Sequence, residues 1–264
     1  MICHDATMWR YPQTLSVKNR LYFKPLMERS LKHAEFILTV SESSRNELQY
    51  FFPQYSEKIR NIGAALPERV YGVTSDEAMN LLKRLRIDTP FLLSVGTVEP
   101  RKNLPFTIKS LAPLLKGRGL KLVIAGRSAW GSVQINKLIE SENLESNIIR
   151  TGYVSDCELQ ALYSTAEALL FPSLYEGFGL PILEAFACRC PVITSDISSM
   201  PEVAGDAAVL IDPTKGETLQ NAVEKILTDT NLRCELINRG LKRLKFFSWK
   251  KCAQKVYEIL DEQR

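Results

Sequence analysis

The sequence offers little with which to hold a metal. Its 264 residues include two histidines, His4 and His33, and six cysteines (Cys3, Cys157, Cys188, Cys190, Cys234 and Cys252), scattered without the C-x-x-C pairs of a zinc or disulfide framework. Cys188 and Cys190 stand two apart and read as reduced core thiols. There is no D-x-D cluster either, so no metal site is expected. Apolar runs approaching the ~20 residues of a membrane span are missing, and the first residues do not read as a secretory leader. A cytosolic protein is the expectation. The 34 Lys and Arg exceed the 30 Asp and Glu by only four, and they are dispersed, so nucleic acid is not expected as a partner. Neither G-x-G-x-x-G nor G-x-x-x-x-G-K-[ST] occurs, which argues against a dinucleotide-dependent dehydrogenase and a nucleoside triphosphatase. No internal repeat or low-complexity segment is visible.

A hydrophobic content of 45% suffices for a packed core. From residue 90 short apolar runs recur: FLLSV (91 to 95), KLVIA (121 to 125), NIIRT (147 to 151), ALLFP (168 to 172), PVIT (191 to 194) and AAVLI (207 to 211). They read as buried strands. Helical patterns lie between them. Leu104, Ile108, Leu111 and Leu115 repeat at helical spacing, as do Leu219, Ala222, Val223, Ile226 and Leu227, and Ser155 with Glu158 forms a capping box ahead of Leu159 and Leu162. Strict alternation predicts an α/β fold, a doubly wound parallel Rossmann-like sheet with its ligand beyond the carboxyl ends of the strands.

The first 66 residues read differently. FILTVS (36 to 41) is one strand, preceded by a basic helical stretch from about Leu15 to His33, and EKIRNIGAAL (57 to 66) is a second strand running into a connector at 67 to 89. That is less than a doubly wound domain requires. Residues 1 to 66 are therefore expected to be part of a second Rossmann-like domain, 90 to 247 a ligand-binding domain, and 248 to 264 a final helix whose face Trp249, Cys252, Ala253, Val256, Tyr257 and Leu260 is core.

Four loops follow strands: GTVEPRKN (96 to 103), GRSAWGS (126 to 132), GYVSD (152 to 156) and SLYEGFGLP (173 to 181). All should line one crevice. Arg101 and Lys102 precede a helix that Asn103 could cap and whose first turn suits Pro105, so cations and a helix amino terminus combine as a site for a diphosphate. Taken singly, their plainer reading is solvated surface charge. Glu184 lies on the helix opening at Leu180 and Pro181, where a carboxylate can accept both hydrogens of a ribose diol. Glu176 precedes a turn in which Gly177 and Gly179 let backbone N–H groups approach a ligand, and it could accept from sugar hydroxyls. Singly, Glu176 is a loop charge and Glu184 an exposed first-turn residue. Together with the cation pair they suit a nucleotide sugar.

The Glu176-x7-Glu184 spacing, GFGLP, GTVEPRKN, LVIAG, GYV and PVITSDISSMPEVAGDAAVLIDP together resemble the retaining glycosyltransferases of family 4, whose GT-B architecture sets two Rossmann-like domains across a cleft. The GTVEPRKN loop resembles the mannosyltransferase-like branch that builds bacterial surface polysaccharides. HDATMWRYPQ (4 to 13) and ILTVSESSRNEL (37 to 48) resemble the last third of the family's amino-terminal domain, so most of that domain is expected to be missing. The resemblance implies transfer of a hexose, mannose-like, from a GDP- or UDP-linked donor to a saccharide or lipid-linked acceptor, without a cofactor or metal. It implies that Gly96, Arg101, Lys102, Gly126, Tyr153, Val154, Gly177, Phe178, Gly179, Leu180 and Glu184 bind the donor. Within that set Arg101 and Lys102 hold the diphosphate, Glu184 the ribose, and Tyr153 and Val154 the base. Glu176 and His4 take the catalytic positions beside the sugar. Thr97 departs from the pattern, since many relatives carry an arginine there.

Without the resemblance His4 reads as a frayed terminal residue, and Trp130 stacks on a base or merely packs. The stretch with Lys18, Arg20, Lys24, Arg29 and Lys32 reads as a solvated face interrupted by Pro25, with anionic lipid at the inner membrane face as the other reading. A front-face reaction is expected, in which the protein stabilises the charge of the leaving diphosphate. The alternative is a non-catalytic donor-binding half, completed by a partner chain that supplies the remainder of the amino-terminal domain.

Overall fold

The computed structural model describes residues 1–14, 17–67, 72–87, 90–128 and 132–262. Trp130 lies outside them.

The chain opens with β1 (Ile2–Cys3), α1 (Thr7–Arg10), α2 (Val17–His33), β2 (Ile37–Thr39), α3 (Glu42–Phe51) and β3 (Ile59–Asn61). The strands form a parallel sheet in the order β1-β2-β3. The sequence shows only two of the three, because β1 is two residues long and leaves no periodicity to read. His4 is thereby tied into structure directly after a paired strand. Helix α2 runs through Pro25 where the sequence suggested an interruption. Its Leu31 is buried, whereas Leu21, Tyr22, Phe23 and Leu26 are exposed.

Then follow α4 (Ser75–Arg84), β4 (Phe91–Val95), α5 (Leu104–Arg118), β5 (Lys121–Ala125), α6 (Ser132–Ser141), β6 (Ile148–Gly152), α7 (Asp156–Thr165), β7 (Leu169–Phe171), α8 (Leu180–Ala187), β8 (Val192–Ser195), α9 (Met200–Ala204), β9 (Val209–Ile211), α10 (Gly216–Thr228), α11 (Thr230–Arg243) and α12 (Trp249–Asp261). Strands β4 and β5 fall where the sequence placed them, and β6 to β9 differ from the sequence reading at an end by one or two residues. Capping boxes at Thr74 with Glu77 and Ser155 with Glu158 start α4 and α7.

The second sheet is parallel, in the order β6-β5-β4-β7-β8-β9. Alternation along β4 sends Phe91 and Leu93 to one face, against Ile182, Leu183 and Phe186 of α8. Leu92 goes to the other, with Ile108 and Leu111 of α5 and Val223 of α10. Burial on both faces is why these strands read as continuous apolar runs. The order reverses between β4 and β7, so their following loops diverge and leave a crevice at the carboxyl edge.

Helix α12 returns to the amino-terminal segment. The Trp249 indole N–H donates to Leu66 O at 2.8 Å. Its buried stripe is Cys252 and Ile259, while Trp249, Tyr257 and Leu260 are about half exposed or more. The core face expected from the sequence is therefore rotated, because Cys252 sits against the backbone at Gly63 and fixes the helix register.

Candidate active site

The loops after β4 and β7 meet through charge. Glu176 accepts from Lys102 Nζ at 2.6 Å through Oε1 and from Arg101 Nη1 at 2.6 Å through Oε2. Arg101 also pairs with Glu99 at 2.9 Å, and its carbonyl accepts from Leu174 N–H at 2.8 Å. Glu176 and Lys102 are nearly buried, with side-chain exposures of 9% and 11%. Burial alone would raise the Glu176 carboxyl, but Lys102 and Arg101 outweigh it and hold the group below the ordinary carboxylate value. For Lys102 burial prevails and pulls the ammonium below its ordinary value despite Glu176. Lys102 Nζ also lies 4.5 Å from the centre of the Phe171 ring. Gly96 makes room for it, since a Cβ there would stand 3.1 Å from Lys102 Cε.

The expected cap on α5 is absent. Asn103 sits at the N-cap position with φ of 59°, and its Nδ2 instead donates to Pro213 O at 2.9 Å. A left-handed N-cap turns the side chain away from the first-turn N–H groups.

The turn at 176 to 179 is fastened from two sides. Ser198 Oγ accepts from Glu176 N–H at 3.1 Å, and Ser199 Oγ donates to Phe178 O at 2.7 Å. From the amino-terminal segment, Ser41 Oγ donates to Gly177 O at 2.6 Å, with Ser44 Oγ 2.9 Å from the same oxygen. A Cβ on Gly177 would come within 2.3 Å of His4 O, so only glycine admits the strand that passes over it. Tyr175 buries its ring among Cys3, Leu31, Ile37 and Leu48, and its hydroxyl accepts from Ala6 N–H at 2.8 Å. Glu202 accepts from the Glu42 and Ser43 N–H groups at 2.9 and 3.1 Å, capping α3 from the other sheet's side. These four serines and Glu202, with Tyr175, were invisible in the sequence because their partners are more than 20 positions away.

Between the two parts lies a cavity of about 450 Å³ lined by residues that include His4, Asp5, Glu176, Gly177, Phe178 and Leu180. It brings together His4, Glu176 and the backbone of the Gly-Phe-Gly turn. Phe178 is buried against Phe247, 5.7 Å between centroids, so its ring serves the core. Gly179, with φ of 108°, starts α8.

Glu184 is half-buried rather than exposed. Its Oε2 accepts from the hydroxyl of fully buried Tyr163 at 3.0 Å. Burial, with Glu184 next, raises the Tyr163 phenol well above its ordinary value, so it remains a donor. Tyr163→Phe should cost about 1 kcal/mol, the worth of one hydrogen bond, read as a lower urea midpoint with unchanged slope. Tyr163→Leu, which also opens a cavity, should cost more.

Farther along the edge the backbones interlock. Gly96 N–H donates to Ala125 O, Val98 N–H to Arg127 O and Gly126 N–H to Gly152 O, at 2.9, 3.0 and 2.8 Å. Gly126 has no space for a side chain, its Cβ position being 2.0 Å from Gly96 O. Val154 packs on the core, whereas Tyr153 is exposed with the Arg127 guanidinium 4.9 Å from its ring centre. Among the described residues there is no metal-ligating cluster of three or more groups, and no helix is long and apolar enough to cross a membrane.

Residues 82–243 match the family described as glycosyl transferases group 1, and the chain belongs to that family. It is 32% identical to the O-antigen chain mannosyltransferase B of Escherichia coli, covering 95% of this chain and 66% of that protein. Serotype-specific mannosyltransferase WbdA of Escherichia coli is 31% identical over 96% of this chain and 32% of its own length. The chain thus spans from about a third to just under two thirds of these relatives. The fold is that of HepE from Anabaena, solved with UDP and glucose, at TM-score 0.81 and 19% identity over 98% of this chain and 70% of that one. The lipopolysaccharide glycosyltransferase WaaG gives TM-score 0.77 at 19% identity, over 98% of this chain and 73% of its own.

Proposed function

We propose that the crevice between the loops after β4 and β7 binds the nucleoside diphosphate of a GDP- or UDP-linked sugar, and that a mannose-like hexose passes with retention to a saccharide or lipid-linked acceptor in surface polysaccharide synthesis. The observation that carries this reading is the meeting of Arg101, Lys102 and Glu176 where the sheet order reverses, beside the start of the helix that bears Glu184. The names of the mannosyltransferase relatives support the sugar.

In this reading Arg101 and Lys102 take the diphosphate, Glu184 the ribose, and the edge at Gly126, Tyr153 and Val154 the base. The hexose enters the cavity between His4 and the turn at Glu176 to Leu180. As the glycosidic bond breaks, negative charge grows on the departing diphosphate, and the two cations with the α8 amino terminus stabilise it. That diphosphate takes the proton of the acceptor hydroxyl arriving on the same face. The exposed Leu21, Tyr22, Phe23 and Leu26 on basic helix α2 suit either an inner membrane face or a partner chain. The latter favours the second reading, a donor-binding subunit.

Titration calorimetry with GDP, UDP, GDP-mannose and UDP-glucose tests the binding. Saturable heat is expected below about 1 mM ligand. Absence of heat and of any thermal shift with all four would overturn the reading.

A further inference from the structure

A second cavity, of about 710 Å³, opens between α3 and the start of α9. Asn46, Glu47 and Tyr50 of α3, Arg10 at the end of α1, and Ser198 and Pro201 line it. It shares no lining residue with the cavity that holds His4 and Glu176. Ser43, Asn46, Glu47 and Tyr50 recur at helical spacing, so one face of α3 is turned to this groove while Ser44 and Leu48 are buried. That face is fixed in place, because Glu202 caps the start of the helix and Ser41 and Ser44 tie it to Gly177 O.

The charges along the groove are matched where they stand. Glu42 accepts from Arg45 at 3.0 Å and from Asn61 at 2.9 Å, Glu202 accepts from the first N–H groups of α3, and Glu47 lies 3.7 Å from Arg10. No surplus charge is left to hold an ion. What is left over is hydrogen-bonding capacity: the Asn46 amide, the Tyr50 hydroxyl and the Arg10 guanidinium make no hydrogen bond among the described residues, 3.7 Å being too long for one. Glu47 Oε2 is buried without one as well. Beside these groups the Tyr50 ring is 74% exposed. A flat apolar face next to an amide and a guanidinium suits a neutral sugar, whose ring carbons stack while its hydroxyls bond at the rim.

We propose that this groove holds a neutral saccharide segment of the acceptor, one ring stacked on Tyr50 and its hydroxyls on Asn46 and Arg10, away from the ring that reacts. The choice of a mannose segment rests on the reading above, and the groove adds to it a second saccharide site outside the hexose cavity.

Saturation-transfer NMR of the full chain with α-linked mannotriose, without nucleotide, tests the assignment. Transfer to the sugar should saturate with a Kd in the low millimolar range. Tyr50→Ala and Asn46→Ala should each weaken binding at least fivefold, and Tyr50→Phe, which keeps the ring, less than threefold. Both side chains are exposed, so thermal unfolding of the variants should match the parent. Saturating GDP or UDP should leave mannotriose affinity within twofold, and Tyr50→Ala should leave nucleotide affinity within twofold. No transfer at about 10 mM mannotriose, an affinity that survives Tyr50→Ala, or displacement of the sugar by nucleotide each overturns the inference, while nucleotide binding keeps the earlier reading standing. Binding of mannotriose by a chain that binds neither nucleotide overturns the earlier reading and leaves the groove.

Discussion

Gly126→Ala should destabilise the protein by about 4 kcal/mol, the sum of overpacking against backbone and of a side chain forced into a φ of +154°. Flexible side chains can move aside at small cost, but the obstacle here is the Gly96 carbonyl, 2.0 Å from the new Cβ. Relief requires the β4 and β5 loops to separate, which breaks the Gly96 to Ala125 and Val98 to Arg127 hydrogen bonds. Gly119 supplies the control, having φ of +61° and nothing within 4 Å of its Cβ position. Gly119→Ala should cost only about 1 kcal/mol, the backbone term alone. Urea unfolding of the two variants separates the contributions. Similar midpoints would mean that the loops are not held as closely as the hydrogen bonds indicate. Nucleotide affinity of Gly126→Ala should fall as well, because Lys102 is positioned against one of these loops and Tyr153 follows another.

Part of this arrangement was legible in the sequence. Strands β4 to β9 showed because burial on both faces writes an unbroken apolar run, and α7 showed because a capping box is a local device. What stayed hidden depends on residues distant in the chain. Arg101 and Lys102 were read as cations awaiting a phosphate, and only the strand order reveals that Glu176, about 75 positions later, already pairs with both. Asn103 had the right residue type for a cap, but its left-handed backbone sends the side chain to Pro213. For α12 the apolar pattern was broad enough to allow more than one face, and the contact of Cys252 with Gly63 decided which is buried. Glu184 was read as a ribose-binding carboxylate, or taken alone as an exposed first-turn charge, and neither reading foresaw its bond to Tyr163, because nothing near it in sequence announces that partner.

Glu176→Gln is expected to weaken the unliganded fold and to strengthen anion binding. Removing the carboxylate takes one partner from a buried ion cluster and leaves Lys102 with an ammonium that burial already disfavours. Breaking such a cluster typically costs about 3 to 5 kcal/mol, and the lower end applies because Arg101 keeps Glu99. The pH dependence gives a second signature. Because the folded-state pKa of Glu176 is lowered from 4.5, its contribution is fully present above that value and is lost as pH falls through the folded one. The parent should therefore lose stability on acidification below about 4.5, and the difference between parent and variant should shrink there. Ligand binding runs the other way. In the parent a diphosphate must compete with Glu176 for Arg101 and Lys102, whereas in the variant both are available to it. Nucleoside-diphosphate affinity of Glu176→Gln should rise at least fivefold, about 1 kcal/mol. Lys102→Met, which removes a cation and leaves Glu176 on Arg101, should lower it by tenfold or more. Calorimetry at pH 7.5, with urea unfolding from pH 3 to 8, measures both effects. A variant as stable as the parent at neutral pH, or one that binds nucleoside diphosphate less tightly, would show that Glu176 does not hold the cations in the way the 2.6 Å contacts imply.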